Sequence, residues 1–529
     1  MKRLLLAMAA PLALPFALLA APALADPPAH FAERADAVRK ASGAPGMAIT
    51  IVENDKVVFA RGFGVRRLND AAPVGLDTIF MTGSTGKAFT SAALAILVDA
   101  GKIRWDDKVI DHIPWFQMYD PWVTREITIR DLLVHRSGLG LGAGDLLTVP
   151  RGSLSRAETV RRLRYLAPAT SFRSGYAYDN ILYGVAGQLI EEVTGQRWED
   201  YVRDHVLKPA GMLHTTSDND VRFTVEDRAQ PHGRTGGAVR GLGEQRVLDE
   251  RDELGRALAP AGLLASSASD MGRWLQIQLA HGAIPGGGRL YSEAAAAEMW
   301  NPVTLEPIST PPPLLAAMKP GFQAYALGWD VRDYRGAKIV WHAGGVFGFT
   351  TVVVLIPEKN VGFSIMVNAE DVSARFGLMY ELLDHYLDAP KADWPARFRQ
   401  YLADRLEGGR KAVETSLAAP AKVGPSLGLE RYVGTYADPW YGNVVIGKDA
   451  RGLTIDFTTT PNMKGRLVHY QYDSFVAELT DTNIERPYVT FGLDAQGRVE
   501  RVTMKAVSPI ADFSFDYQDL LFKPVEPAK

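Results

Sequence analysis

The chain has 529 residues, 47% of them hydrophobic, and a formal net charge of −3 at pH 7. This length exceeds one ordinary hydrophobic core, so more than one domain is expected. The mixed, nearly balanced charge argues against a nucleic-acid-binding surface. No cysteine is present, which excludes disulfides and thiolate metal sites, and the histidines lack ligand spacing. We therefore expect neither a metal ion nor another cofactor.

Residues 1–25 have the pattern of a secretory signal peptide. A basic start precedes an apolar run over residues 4–21, and an Ala-x-Ala cleavage pattern ends at Ala25. Pro11 and Pro15 interrupt the run, and no later apolar stretch is long enough to span a membrane. Export of a cysteine-free chain indicates a bacterial periplasmic or extracellular protein, with no integral membrane span after cleavage.

The first elements after this segment change from strand to helix periodicity. Residues 47–52 and 56–63 predict two strands joined by a turn at residues 53–55. Apolar residues at helical spacing follow at 88–98, and helical patterns then dominate as far as residue 211. This order predicts a pair of sheet strands followed by a helical region.

Ser84 and Lys87 stand at the start of the 88–98 helix, three residues apart and so on one helical face. A neutral lysine amine there can accept the serine proton, and the positive end of the helix favours an oxyanion. A phosphate-binding loop is excluded because Met81 stands where its first glycine belongs. A lipase-type nucleophile elbow is excluded because Thr82 occupies its first glycine position. The pair alone is a weak signal, since this spacing is common by chance.

A second candidate segment contains Tyr178 and Asn180. A phenol can relay a proton to and from a serine if nearby positive charge lowers its pKa. An amide side chain offers both a donor and an acceptor to a substrate amide. We therefore expect both side chains near Ser84.

A third candidate segment is His342-Ala343-Gly344-Gly345, which lies between strand-like runs at 338–341 and 350–356. Small residues at a strand edge let a substrate backbone approach closely. Gly344 and Gly345 are therefore candidate substrate-binding positions, together with His342.

The order of these segments resembles the serine β-lactamase-like superfamily over residues 30–390. That group includes class C β-lactamases, DD-peptidases, D-aminopeptidases and related esterases. The resemblance extends to Leu-Leu-Val-His-Arg-Ser-Gly-Leu at 132–139, to residues 187–195 and to Pro-Ala-Gly-Leu-Leu-Ala-Ser at 260–266. In the family the first of these segments is structural, so we expect His135 to be a buried, hydrogen-bonded histidine.

The resemblance implies a role for each motif residue. Ser84 is the nucleophile that becomes acylated, Lys87 deprotonates it or keeps the local field positive, and Tyr178 acts as general base and then acid. Which of Lys87 and Tyr178 takes the first proton stays open. Asn180 orients the acyl side of the substrate. The backbone N–H groups of Ser84 and Gly345 form the oxyanion hole.

The chain departs from this family at His342, because relatives usually have Lys-Thr-Gly at 342–344. A histidine is only partly charged near neutral pH, and Ala343 has no hydroxyl. The family uses the lysine and threonine to attract a substrate carboxylate. We therefore expect β-lactams to be poor substrates.

The rest of the chain is predicted to contain two long loops, further strands and helices, and a C-terminal region composed of short strands. Long loops are predicted at 222–255 and 302–320, and strands at 324–341 and 350–367. A further helix is predicted at 376–387. A charged helix and an Ala/Pro/Gly-rich stretch make up residues 394–426. From residue 427, seven short strands separated by turns predict a small closed barrel, similar to the lipocalin-like domain of some D-aminopeptidase-type relatives.

The sequence thus predicts an α+β fold in which helices flank an antiparallel sheet, with an all-helical lobe and then a small all-β barrel. The predicted domains are the signal peptide (1–25), a β-lactamase-like hydrolase domain (26–393), a helical linker (394–426) and the barrel (427–529). The expected function is a secreted serine hydrolase that acts on small peptides or amides, including those with D-residues, or on carboxylic esters. Two alternatives stay open: a class C-like β-lactamase or DD-carboxypeptidase, and a non-catalytic penicillin-binding-like scaffold.

Overall fold

The computed structural model describes residues 27–251, 255–418 and 420–525, and the predicted signal peptide lies outside them. The helices are α1 (Phe31–Ser42), α2 (Lys87–Asp99), α3 (Val109–His112), α4 (Pro121–Glu126), α5 (Arg156–Arg162), α6 (Ile181–Thr194), α7 (Trp198–Val202), α8 (Lys208–Ala210), α9 (Asn219–Arg222), α10 (Ala259–Gly262), α11 (Ala268–Leu279), α12 (Glu293–Met299), α13 (Val372–Tyr386) and α14 (Trp394–Ala418).

The main sheet has eight antiparallel strands in the order β2-β1-β12-β11-β10-β9-β8-β7. Two small two-stranded sheets, β3-β6 and β4-β5, lie outside it. The strands of this part are β1 (Gly46–Glu53), β2 (Lys56–Gly64), β3 (Phe80–Met81), β4 (His232–Gly236), β5 (Gly243–Val247), β6 (Ala265–Ser266), β7 (Thr304–Leu305), β8 (Gln323–Tyr325), β9 (Asp330–Tyr334), β10 (Ala337–Val346), β11 (Phe349–Ile356) and β12 (Val361–Val367).

The central strands β1, β11 and β12 are buried along their whole length. Helix α11 packs on β1 and β12, and helix α13 packs on β11 and β12. Residues on both faces of a strand covered in this way are apolar, which explains the uninterrupted Val/Ile-rich runs. A helical lobe built around α2 and α6 completes the predicted α+β arrangement, and the predicted fold class is confirmed.

The C-terminal strands close into a barrel, which confirms the predicted all-β texture. They are β13 (Gly434–Asp438), β14 (Gly442–Asp449), β15 (Gly452–Phe457), β16 (Lys464–Gln471), β17 (Ser474–Leu479), β18 (Pro487–Leu493), β19 (Val499–Ala506) and β20 (Leu521–Pro524). The eighth strand, β20, was not predicted, and it closes the barrel by pairing with both β13 and β19. Buried aromatic rings such as Tyr441, Phe457 and Phe522 fill the interior.

Two segments that the sequence predicts to be loops contain short strands. The predicted loop at 222–255 contains the β4-β5 hairpin, and the predicted loop at 302–320 contains β7. Glycines in the first segment and prolines in the second weaken the sequence signal for strands, while pairing with neighbouring strands supplies the hydrogen bonds. The 394–418 helix also does more than connect, since Trp394 and Phe398 pack on Tyr380 of α13.

The barrel lies directly against the α+β part, residues 27–393. Buried apolar residues of the barrel and of the helical lobe form one contiguous cluster. At the contact, the barrel segment 508–520 meets the loop at 140–148: the backbone N–H groups of Gly144 and Leu146 both donate to the carboxylate of Asp516. This contact lies beside the predicted site residues.

Candidate active site

Ser84 lies in a short 3-10 turn, Gly83–Gly86, that leads directly into α2, whose first residue is Lys87. The side chains therefore share one face, as the spacing predicts. The distance from Lys87 Nζ to Ser84 Oγ is 3.0 Å. Ser84 lines a cavity of about 700 Å³, whereas Lys87 is fully buried beneath it.

The amine of Lys87 has two further partners, both of which can only accept. Lys87 Nζ lies 2.7 Å from Oδ1 of Asn180 and 2.9 Å from the carbonyl oxygen of Ala261. Two N–H bonds are thus committed, and the third position faces Ser84. In the neutral amine this position is a lone pair, which can accept the serine proton.

Burial lowers the pKa of Lys87 to about 7, and the nearby carboxylates of Asp145, Asp179 and Asp330 offset only part of this shift. At neutral pH a substantial fraction of the amine is therefore uncharged. The side chain that holds the serine hydroxyl is also able to deprotonate it.

Tyr178 is brought to the same place, with Lys87 Nζ 4.8 Å from the centre of its ring. Burial raises the pKa of Tyr178 well above its ordinary value, and a hydrogen bond with Ser84 offsets this only in part. The condition set for a phenolate relay, a pKa lowered by nearby positive charge, is therefore not met, because desolvation outweighs it. At neutral pH Tyr178 is a neutral phenol that can donate a proton.

Asn180 lies between Lys87 and a buried carboxylate. Its Oδ1 accepts from Lys87, and its Nδ2 donates to Oδ2 of Asp145 at 2.8 Å. These two partners fix the orientation of the Asn180 amide group. The Lys87 amine donates to the amide oxygen, and the Asp145 carboxylate accepts from the amide nitrogen. One Nδ2 hydrogen remains for a substrate carbonyl.

His342 lies in the cavity wall on β10, but both of its ring nitrogens are already engaged. Nε2 lies 2.7 Å from the hydroxyl of Tyr325, and Nδ1 lies 2.7 Å from the carbonyl oxygen of Ala343. Burial, and then the nearby Lys87, lower the pKa of His342 to about 3. His342 is thus a neutral part of the cavity wall with no free ring nitrogen, and its contact with substrate stays a prediction.

Gly344 and Gly345 pack β10 against the turn that carries Ser84. A Cβ on Gly344 would lie 2.1 Å from the carbonyl oxygen of Thr82, whereas a Cβ on Gly345 would meet nothing within 4 Å. A Cβ on Gly83 would lie 2.7 Å from the backbone nitrogen of Gly345. Only glycines permit this approach, and Gly345 faces the cavity next to the nucleophile.

His135 lies behind Tyr178, as expected of a structural residue. It is 1% exposed, and its Nδ1 accepts from the backbone N–H of Asp179. Its ring centre lies 4.1 Å from that of Tyr178. Burial lowers the pKa of His135, so it supports the Tyr178 ring as a neutral side chain.

Several site residues were not recognised in the sequence. Ala261 belongs to a segment that carries the family resemblance, so its motif was visible although its contact with Lys87 was not. Arg375 of α13 donates to the carbonyl oxygens of Gly344 and Thr351 and so holds β10 in place. Asp145 and the barrel residue Ser514 lie in no motif, and their hydroxyl–carboxylate bond joins positions 369 residues apart.

The cavity above Ser84 has walls from both parts of the chain. The hydrolase part supplies Leu141 and Tyr176, and the barrel supplies Ile510 and Phe513. The ring of Phe513 meets that of Tyr178 edge to face at 5.8 Å. Within residues 27–251, 255–418 and 420–525, no group of three or more His, Cys, Asp or Glu side chains is placed to hold a metal ion.

Comparison with known protein families places this geometry in context. The family model described as Beta-lactamase matches residues 31–386, and a domain of unknown function, DUF3471, matches residues 418–524. The unguisins hydrolase ungD' of Aspergillus campestris is 31% identical over 422 residues, which cover 76% of this chain and 74% of the relative. Penicillin-binding protein 4 of Amycolatopsis lactamdurans is 30% identical over 364 residues, which cover 67% of this chain and 89% of the relative.

Solved structures agree on the fold. The octameric penicillin-binding protein homologue from Pyrococcus abyssi superposes with a TM-score of 0.57 at 19% identity, over 90% of this chain and 98% of that chain. SurE superposes with a TM-score of 0.52 at 18% identity, over 93% of this chain and 99% of that chain. None of the helices in the described part of the chain has the length and apolarity needed to cross a membrane.

Proposed function

The chain belongs to the Beta-lactamase family, and we propose that it is a serine hydrolase that forms an acyl-enzyme on Ser84. The observation that carries this proposal is the 3.0 Å contact between Ser84 Oγ and Lys87 Nζ in a buried site. An amine whose pKa is about 7 can take the serine proton at neutral pH. A structural lysine would gain nothing from such burial.

The proposed acylation involves three proton transfers. Ser84 Oγ attacks the substrate carbonyl carbon while its proton passes to neutral Lys87. The backbone N–H groups of Ser84 and Gly345 stabilise the resulting oxyanion. The phenol of Tyr178 donates its proton to the leaving group as the bond to the carbonyl carbon breaks, and Lys87 then reprotonates Tyr178. In deacylation, a water molecule attacks the ester that joins the acyl group to Ser84. Its proton passes through Tyr178 to Lys87, and Lys87 returns a proton to Ser84 Oγ as the ester bond breaks.

The proposed substrates are uncharged acyl donors: small peptides or amides, including those with D-residues, or carboxylic esters. Support comes from His342, which is neutral and has both ring nitrogens engaged, where relatives place a lysine. The wall beside Ser84 offers aromatic surface from Tyr176 and Phe513 and aliphatic surface from Leu141 and Ile510. Such a site gains affinity by apolar burial rather than by charge pairing.

The test is covalent labelling of Ser84 by a fluorophosphonate probe, followed by peptide mass spectrometry. Wild-type protein should be labelled on Ser84, and Ser84→Ala should not be labelled. Ser91→Ala is the matched control: Ser91 is a fully buried serine of α2, the helix that follows Ser84, and its loss should leave labelling intact. An unlabelled wild type would favour the non-catalytic scaffold and refute the proposal.

A substrate panel then separates the hydrolase types. We expect turnover of p-nitrophenyl esters or D-amino-acid p-nitroanilides and poor turnover of nitrocefin. Efficient nitrocefin hydrolysis would instead favour the β-lactamase alternative. Release of D-alanine from a D-Ala-D-Ala peptide would favour the DD-carboxypeptidase.

We also propose that the enzyme acts in the bacterial periplasm or outside the cell. The support is the signal-peptide pattern that ends at Ala25. Mass spectrometry of protein recovered from its native compartment should find a mature chain that begins at Asp26. An intact N-terminus at Met1 would contradict export.

A further inference from the structure

A fully buried carboxylate, Asp145, lies behind the catalytic lysine. It belongs to the loop at 140–148, and its Oδ2 accepts from Asn180 Nδ2 and from Ser514 Oγ, each at 2.8 Å. Within the described residues, its Oδ1 has no hydrogen-bond partner. A buried carboxylate with so few donors is costly, so its retention beside the site calls for a function.

The barrel holds this loop from the other side. The carboxylate of Asp516 accepts from the N–H groups of Gly144 at 2.7 Å and Leu146 at 2.9 Å, which flank Asp145. The N–H of Gly142 donates to the carbonyl oxygen of Tyr178 at 2.8 Å. One loop is thus bonded to the barrel at three of its residues and to the Tyr178 segment at a fourth.

The contacts form a continuous path from the barrel to the nucleophile. Ser514 donates to Asp145, Asp145 accepts from Asn180, and Asn180 accepts from Lys87 Nζ. If Asn180 lost its carboxylate partner, its amide could turn and present N–H to the lysine. The lysine would then lose one of the two acceptors that direct its lone pair at Ser84.

We infer that Asp145, held by Ser514 and Asp516 of the barrel, is a positioning residue that fixes Asn180 and sets the charge of Lys87 for acylation of Ser84. This inference rests on the proposed function, because it concerns the base that activates Ser84. The barrel would therefore complete the base of the hydrolase domain.

The electrostatics of the path agree with this role. Burial raises the pKa of Asp145 to about 7, and the hydrogen bonds from Asn180 and Ser514 oppose that shift. An ionised Asp145 raises the pKa of Lys87. The other titratable groups around these two side chains are Asp179, Asp330, Asp512, Asp516, Tyr178, Tyr183, His135 and His342.

The experiment measures the second-order rate of fluorophosphonate labelling against pH in full-length variants. Asp145→Asn keeps an acceptor for Asn180 but removes the charge, so the pKa of Lys87 should fall. The rising limb of the profile should therefore move to lower pH, by about half a unit or more. Asp145→Ala removes the acceptor as well, and labelling should fall about tenfold or more at every pH, a cost typical of a lost orienting group.

The barrel end is tested by Ser514→Ala, which removes one donor from Asp145. Asp145 should then be less ionised, and the limb should shift in the same direction as in Asp145→Asn, by a smaller amount. Ser508→Ala is the matched control, because Ser508 is a buried serine of the same barrel segment whose hydroxyl accepts from Ile510 N–H. Its profile should coincide with that of the wild type.

The outcomes separate this inference from the proposed function. An unlabelled wild type would refute the acyl-enzyme itself. A labelled wild type whose pH profile is unchanged in both Asp145→Asn and Ser514→Ala would overturn only the positioning role. A uniform loss of rate in Asp145→Asn without any shift of the limb would also overturn it, because that result indicates a structural role alone.

Discussion

The hydroxyl of Tyr325 lies 2.7 Å from Nε2 of His342, and this contact decides what the histidine can do. Because Nδ1 is directed at the carbonyl oxygen of Ala343, Nδ1 carries the proton and Nε2 accepts from the tyrosine. A substrate carboxylate therefore finds no donor on this ring. Where relatives place a permanent cation, this chain has a neutral pair of side chains.

The preference for uncharged substrates should be independent of pH over the neutral range. The pKa of His342 is lowered to about 3, so the ring stays neutral between about pH 5 and pH 8. We expect a constant ratio of kcat/KM for two p-nitrophenyl esters that differ only in a terminal carboxylate. His342→Lys should change that ratio in favour of the carboxylate ester. The change should correspond to about 1 kcal/mol of relative transition-state binding, the scale of one net hydrogen bond. A ratio that climbs as the pH falls through about 6.5 would show instead that the wild-type histidine becomes charged and binds the carboxylate.

Helix geometry predicted that Ser84 and Lys87 lie side by side, and their side chains are 3.0 Å apart. Their roles as nucleophile and base come from the family resemblance and stay predictions. The sequence did not indicate that burial raises the pKa of Tyr178, since a motif carries no information about burial. The β4-β5 hairpin was missed because nearly all of its residues are polar or glycine, so the apolar–polar alternation typical of strands is absent.

The sequence did not predict that residues of the barrel contribute to the site. Ser514 and Asp145 are 369 positions apart, and neither stands in a pattern with a known chemistry. Only the docking of the barrel on the helical lobe brings them together. The sequence therefore predicted an α+β part and an all-β barrel, but not that their side chains meet beside Lys87.

Acylation should depend on the neutral form of Lys87. Since the pKa of Lys87 is lowered to about 7, the labelling rate should be small below that pH and should rise through it to a plateau. Lys87→Arg tests the assignment, because a guanidinium keeps the positive charge but cannot accept a proton. Its labelling rate should fall by several orders of magnitude, as for Lys87→Ala. Near-normal labelling of Lys87→Arg would mean that another group deprotonates Ser84.

Asp131 should anchor the segment that leads to Tyr178 to the helical lobe through charge. Its side chain is fully buried and bonds to Arg136 at 2.8 Å and to Arg173 at 2.5 Å. Burial alone would raise the pKa of Asp131, but the bonds from Arg173 and Thr128 lower it below its usual value. Asp131→Asn should cost about 2 kcal/mol of unfolding free energy, less than a fully buried pair because Arg173 is 37% exposed.

The difference in unfolding free energy between wild type and Asp131→Asn should become smaller as the pH falls. A carboxyl group whose pKa is lowered by folding stabilises the fold above its unfolded pKa of about 3.9, and the contribution disappears as the pH falls through the lower, folded value. Denaturant unfolding should therefore find the full difference between wild type and Asp131→Asn at neutral pH. That difference should shrink on acidification below about pH 4. A constant difference down to acidic pH would show that the Asp131 charge is not what anchors the segment.

An added methyl group should destabilise the protein at Gly344 but not at the adjacent Gly345. A Cβ on Gly344 would lie 2.1 Å from Thr82 O and 2.3 Å from Thr351 Oγ1, so Gly344→Ala must displace the backbone beside Ser84. We expect a loss of about 3 kcal/mol or more of unfolding free energy, the upper range for overpacking, together with loss of labelling. Gly345→Ala adds its methyl to open cavity space and should keep the wild-type Tm, with labelling reduced only by the narrower entrance. Equal Tm values for the two variants would show that β10 and the Ser84 turn are not in this close contact.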